Sequence, residues 1–136
     1  MSAKVLLIDD DRDFRVSVRS LLESSGYGVA EADSGHAGLL KVLECKPDVI
    51  ILDIMMESST EGYSVTYALK YLDEYADFRN VPIFMVSSIG ESPDERFPMA
   101  AEVEMIRPDR YLTKPLDIPR LLQLLEKAVG AGVATT

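Results

Sequence analysis

Several features that ordinarily announce a function are scarce here. Cys45 is the sole cysteine, which excludes a disulfide framework and a clustered thiolate metal site; a reduced, cytoplasmic setting is expected. Tryptophan is absent and His36 is the one histidine. With no partner residue, His36 is read as a surface or capping group near a helix start. No apolar run approaches the length of a membrane span, and Met1-Ser2-Ala3-Lys4 lacks a signal-peptide pattern, so no membrane contact is expected. Lys and Arg number 14 against 23 Asp and Glu, a formal charge of −9. The basic residues are scattered, which argues against a nucleic-acid groove. A chain of 136 residues makes one domain large enough to bury a core without staples.

What is present is a set of short apolar runs that stop on polar residues. Val49-Ile50-Ile51-Leu52 ends on Asp53, and Val5-Leu6-Leu7-Ile8 ends on Asp9-Asp10-Asp11. Unbroken apolar runs of this length read as strands buried on both faces, as in parallel sheets covered by helices. Between them the period changes. Phe14, Val18, Leu21 and Leu22 share one face of a helix over 12–25 that Gly26 ends, and 27–32 reads as a weaker edge strand. Ser34 caps a second helix with Leu39, Leu40 and Leu43 inward. A third helix follows a polar loop over 54–62 and places Val65, Ala68, Leu69 and Leu72 on one face. A charged loop over 77–80 leads to the strand 81–86, which ends on Ser87.

Pro93, Pro98 and Pro108 interrupt the next stretch, and a short fourth helix is placed over 99–106. Tyr111-Leu112-Thr113 is a fifth strand, ending on Lys114-Pro115. The fifth helix carries Ile118, Leu121, Leu122, Leu125 and Val129 inward, and 130–136 is expected to fray. Five strands alternating with five helices predict an α/β fold: a doubly wound, five-stranded parallel sheet in a flavodoxin-like three-layer sandwich, strand order 2-1-3-4-5.

That order places the first and third strands side by side and brings Asp9, Asp10 and Asp53 together at the sheet's carboxyl edge. Two unit charges about 4 Å apart repel by about 4 kcal/mol at an effective dielectric near 20, so the cluster calls for a cation. An incomplete all-oxygen cage suits Mg²⁺. Lys114 offers a second positive charge and Ser87 a hydroxyl donor. A carboxylate beside a metal and a lysine is equipped to attack phosphorus, and Asp53, alone at its strand end, is the best nucleophile.

The pieces Leu7-Ile8-Asp9-Asp10, Leu52-Asp53, Val86-Ser87-Ser88 and Tyr111-Leu112-Thr113-Lys114-Pro115 resemble, in order, those of response regulator receiver domains, especially the chemotaxis-type single-domain receivers. The resemblance covers about residues 4–129. It implies that Asp53 accepts a phosphoryl group from a sensor histidine kinase or phosphotransfer protein. It implies that Asp10 binds Mg²⁺ directly, Asp9 through water, and Met55 through its backbone carbonyl. It further implies that Ser87 contacts the phosphoryl group, Tyr111 rotates with it, Lys114 pairs with it, and the bond before Pro115 is cis. Such a domain is a signalling module rather than an enzyme and switches a surface that meets a downstream protein; homodimerisation stays open. Val16, opposite the apolar face of the first helix, and Pro115 are expected to dock the kinase.

The chain departs from the family at Glu57, where a proline is usual, and at Gly62, one residue later than usual. Nothing resembling an output domain follows the fifth helix, so a stand-alone regulator or a fragment of a longer one is expected. Two other readings remain. Asp9-Asp10-Asp11 also resembles the D-x-D motif of haloacid-dehalogenase-like phosphatases, with Asp9 as nucleophile and Asp11 as acid/base, although an acidic motif after the lysine is missing. A receiver-shaped interaction module independent of phosphorylation is the third.

Overall fold

Hydrophobic alternation organises the molecule around a central sheet. The computed structural model describes residues 3–53, 61–87 and 110–133. Strands β1 (Lys4–Ile8), β2 (Gly28–Ala32), β3 (Val49–Asp53), β4 (Ile83–Ser87) and β5 (Arg110–Thr113) pair in parallel in the order β2-β1-β3-β4-β5. The helices are α1 (Arg12–Ser24), α2 (Gly35–Cys45), α3 (Glu61–Tyr71) and α4 (Ile118–Val133), with a 3₁₀ segment at Asp73–Phe78. The helix expected over 99–106 lies outside the described residues, so α4 is the one the sequence placed fifth.

Successive strand residues point to opposite faces, and the sheet accordingly divides its apolar residues between two cores. Leu6, Ile8, Ile50, Leu52, Ile83 and Met85 pack against α2, α3 and Tyr75. Val5, Leu7, Val49, Ile51, Phe84 and Val86 pack against α1 and α4. All five residues of β3 are buried, as a strand covered on both faces should be. The result is three layers, with β2 at one edge.

The ends of the helices follow local chemistry. The Asp11 carboxylate accepts from the backbone N–H groups of Asp13 and Phe14 at 3.0 and 3.3 Å and so caps α1. Ser34 caps α2 through the Ala37 N–H, and Asp117 accepts from the Arg120 N–H at the start of α4. Gly26, at φ 95°, ends α1 in a conformation that a side chain would resist.

Several details differ from the sequence expectation. In α2 the buried residues are Gly35, Gly38 and Val42, while Leu40 and Leu43 are exposed and only Leu39 packs inward. The cause is close approach: a Cβ built on Gly38 would lie 2.4 Å from Ile8 Cδ1. The helix therefore turns its small residues toward β1, and hydrophobic periodicity gives no credit to glycine. Leu21 of α1 is exposed, with Val18 and Leu22 supplying the buried contact. Leu72 falls just past the end of α3 and is exposed too.

The segment before β4 is not all loop. Its 3₁₀ turn buries Tyr75 under the sheet, a side chain the charged surroundings concealed. Leu124 joins Leu121 and Leu125 as a buried residue of α4. That helix continues to Val133, so the tail expected to fray from Gly130 is helical for its first residues; Ala128 and Ala131 favour helix strongly enough to carry the two glycines between and after them. Gly62 lies in the first turn of α3 rather than closing the preceding loop.

Candidate functional site

Two adjacent strands bring the acids together. In the β1/β3 pairing Ile8 lies beside Leu52, which sets Asp9 level with Asp53 at the carboxyl edge. Asp9 and Asp53 are 1% and 4% exposed, whereas Asp10 is open to solvent. Carboxylate oxygens of Asp9, Asp10 and Asp53 all lie within 4.8 Å of one another. Burying carboxylates this close is unfavourable without compensating charge.

Compensation comes partly from Lys114, the first residue after β5. Its ammonium is 2.9 Å from Asp9 Oδ2 and 3.6 Å from Asp53 Oδ2. The shorter contact is an ion pair rather than a well-aligned hydrogen bond. Burial by itself would lower the Lys114 pKa, but the Asp9 and Asp53 carboxylates outweigh it and hold the group above its ordinary value. The lysine is thus charged at neutral pH. Its peptide bond to Pro115 is cis, and Pro115 is exposed.

The first turn of α1 completes the surroundings. The Asp11 N–H donates to Asp9 Oδ1 at 2.9 Å, and Arg15 Nη1 donates to the Asp9 carbonyl at 2.6 Å. Arg15 is itself paired with Glu31 of β2, Nε to Oε1 at 3.0 Å, and Arg19 reaches the other Glu31 oxygen at 2.6 Å. The hydrogen bond from Arg19, with Arg15 adding to it, holds the Glu31 carboxyl below its usual range despite partial burial. The Phe14 ring lies against Lys114, its centroid 4.1 Å from Nζ.

Among the described residues the site gathers three carboxylates beside the ammonium of Lys114. An all-oxygen donor set of three carboxylates fits a hard divalent cation. Asp9, Asp10, Asp53 and Lys114 are therefore gathered as their strand-end positions suggested. Ser87 is the last residue of β4, beside Thr113 in register, and Tyr111 lies within β5 beside Met85; their side chains lie outside the described residues, as do Met55 and Glu57 entirely. Val16 is 54% exposed on α1. His36 is exposed at the start of α2.

Pattern reading missed Phe14, Arg15 and Glu31. Helical spacing assigns Phe14 to the core, which it joins in part. Arg15 and Arg19, four apart on α1, and a single acid inside an otherwise apolar edge strand were the available signal for the Glu31 pairing.

Comparison with known proteins agrees with this geometry. A family model described as "Response regulator receiver domain" matches residues 5–126. The chain is 32% identical over 121 residues to the DNA-binding dual master transcriptional regulator RpaA of Synechocystis sp.; the match takes in 88% of this chain and 46% of RpaA. It thus spans under half the length of that relative. With the polar-differentiation response regulator DivK of Brucella ovis it shares 28% identity, covering 96% of this chain and 98% of DivK. Among solved structures, the chemotaxis protein CheY4 of Vibrio cholerae superposes with a TM-score of 0.77 at 30% identity, covering 94% of this chain and 99% of that one. A CheY-like receiver domain protein from Methanospirillum hungatei has a TM-score of 0.80 at 20% identity over the whole of both chains, a likeness of fold.

Proposed function

Because this chain belongs to the response regulator receiver domain family, a family of signalling modules that work with histidine kinases, we propose that Asp53 accepts a phosphoryl group from a phosphohistidine on a sensor kinase or phosphotransfer protein. The observation that carries this reading is the meeting of Asp9, Asp10 and Asp53 within 4.8 Å, with the Lys114 ammonium reaching both buried acids.

Asp53 Oδ attacks phosphorus in line with the donor nitrogen. The new O–P bond forms as the P–N bond breaks, and the electron pair leaves with the imidazole, which takes up a proton. Lys114 neutralises charge on the equatorial oxygens as it spreads. Mg²⁺, when bound, supplies further neutralisation and orients the phosphoryl oxygens. Asp10, exposed at the lip, and Asp53 would hold the ion directly together with the Met55 carbonyl, and Asp9, whose oxygens face the Asp11 N–H and the Lys114 ammonium, would act through water. Ser87, at the end of β4, contacts the phosphoryl group, and Tyr111, within β5, rotates with it and relays its presence to the surface. Val16 and Pro115, both exposed, dock the phosphodonor, and the switched surface meets a downstream protein in the cytoplasm.

The phosphatase alternative fits less well. Asp11, its acid/base, is engaged as the cap of α1. Intact mass after incubation with phosphoramidate and Mg²⁺ tests the proposal: one phosphoryl adduct on the wild type, lost with EDTA and in Asp53→Asn. An Asp53→Asn variant that gains the same adduct contradicts it, and a wild type that gains none supports the phosphorylation-independent interaction module.

A further inference from the structure

Lys114 meets a third group besides the two carboxylates: the ring of Phe14, at 4.1 Å from Nζ to the centroid. We infer that Phe14 is a positioning residue for phosphoryl transfer, its ring face holding the Lys114 ammonium beside Asp53. This rests on the reading of Asp53 as acceptor.

The ring is well placed for the task. Phe14 is in the first turn of α1, where its N–H bonds Asp11 Oδ1, while the Asp11 N–H bonds Asp9 Oδ1. The backbone that carries the ring is therefore tied to the same acid that pairs with the lysine. The ring is partly buried against the core between the sheet and α1/α4, which limits where it can go.

What a ring adds is attraction without direction. Each carboxylate holds an ammonium along particular oxygen–nitrogen lines, whereas the face of an aromatic ring attracts a cation over its whole area. When the Asp53 O–P bond forms and the donor P–N bond breaks, the charge that Lys114 must meet moves from the Asp53 oxygen to the phosphoryl oxygens. Four rotatable bonds let the lysine follow, at an entropic cost that a fixed neighbour reduces. Over the ring, the ammonium can shift from one acceptor to the other with no hydrogen bond to the ring to break. Leucine or methionine would fill the same space and lack the quadrupole.

The test compares the rate of phosphorylation by phosphoramidate and Mg²⁺ in the wild type, Phe14→Leu, Phe14→Met and Phe14→Tyr, alone and with Lys114→Gln. Loss of the cation–π contact predicts a rate about two- to fivefold lower for the leucine and methionine variants, near-wild-type behaviour for tyrosine, and no further effect of Phe14→Leu when Lys114→Gln is present. A metal-free urea-unfolding cycle on Phe14→Leu and Lys114→Gln should show a coupling of about two- to fivefold in the folding constant. A phosphorylated wild type with an indifferent Phe14→Leu, or equal slowing in the Lys114→Gln background, overturns this inference alone. A wild type that takes no phosphoryl group overturns the Asp53 reading and this inference with it.

Discussion

Three single residues show how much depends on close contact. Lys114 reaches two buried acids and touches a ring, and its place just after β5 was legible from a strand that stopped on it. The ring was not, because helical spacing classes Phe14 with Val18 and Leu22 and says nothing of which cation lies over it. Gly38 was invisible for the opposite reason: it matters for the side chain it lacks. A Cβ there would meet Ile8 at 2.4 Å from Cδ1 and 2.9 Å from Cγ1, and Ile8 is fully buried and β-branched, so it has little freedom to move. Overpacking costs about 1–3 kcal/mol, offset by about 1 kcal/mol from the better helix propensity of alanine. Gly38→Ala is therefore expected to lose up to about 2 kcal/mol in urea denaturation; a variant more stable than the wild type, as helix propensity alone predicts, would show that α2 can lift off β1 at no cost.

At the scale of elements, the start of α1 organises the site as much as the strands do. Asp11 caps it, Phe14 meets Lys114, and Arg15 links the Asp9 carbonyl to Glu31 on the edge strand. The existence and limits of α1 were readable from its period and from Gly26, whereas the Arg15–Glu31 link crosses from helix to strand and needs the fold before it can be seen. It has a pH signature. Glu31 has its folded pKa lowered by Arg19 and Arg15, so its contribution is present above the unfolded carboxylate value and is lost as pH falls through the folded one. Glu31→Gln should thus be less stable than the wild type at neutral pH, with the two converging in acid. A stability gap that stays constant from neutral pH into the acid range would contradict the assignment. Helix faces were the weaker part of the sequence reading: Leu40 and Leu43 of α2 are exposed although they are as apolar as the inward Leu39, because the helix approaches the sheet through Gly35 and Gly38.

For the whole molecule, alternation between two cores was readable because β1 and β3 are apolar on both faces, and that double burial admits few architectures besides a covered parallel sheet. The same order of strands made the acidic site readable, since β1 beside β3 leaves Asp9 and Asp53 level at one edge. What sequence could not supply were the contacts made across layers, Tyr75 beneath the sheet and Phe14 beside Lys114, which depend on helix placement to within a side chain's width. The account rests on one chemical claim, that the acid ending β3 is the phosphoryl acceptor. Reducing the phosphorylated protein with borohydride converts an aspartyl phosphate to homoserine, and peptide sequencing by mass spectrometry then locates it. Homoserine at position 53 is the result expected; homoserine at position 9, the nucleophile of the phosphatase reading, would contradict it.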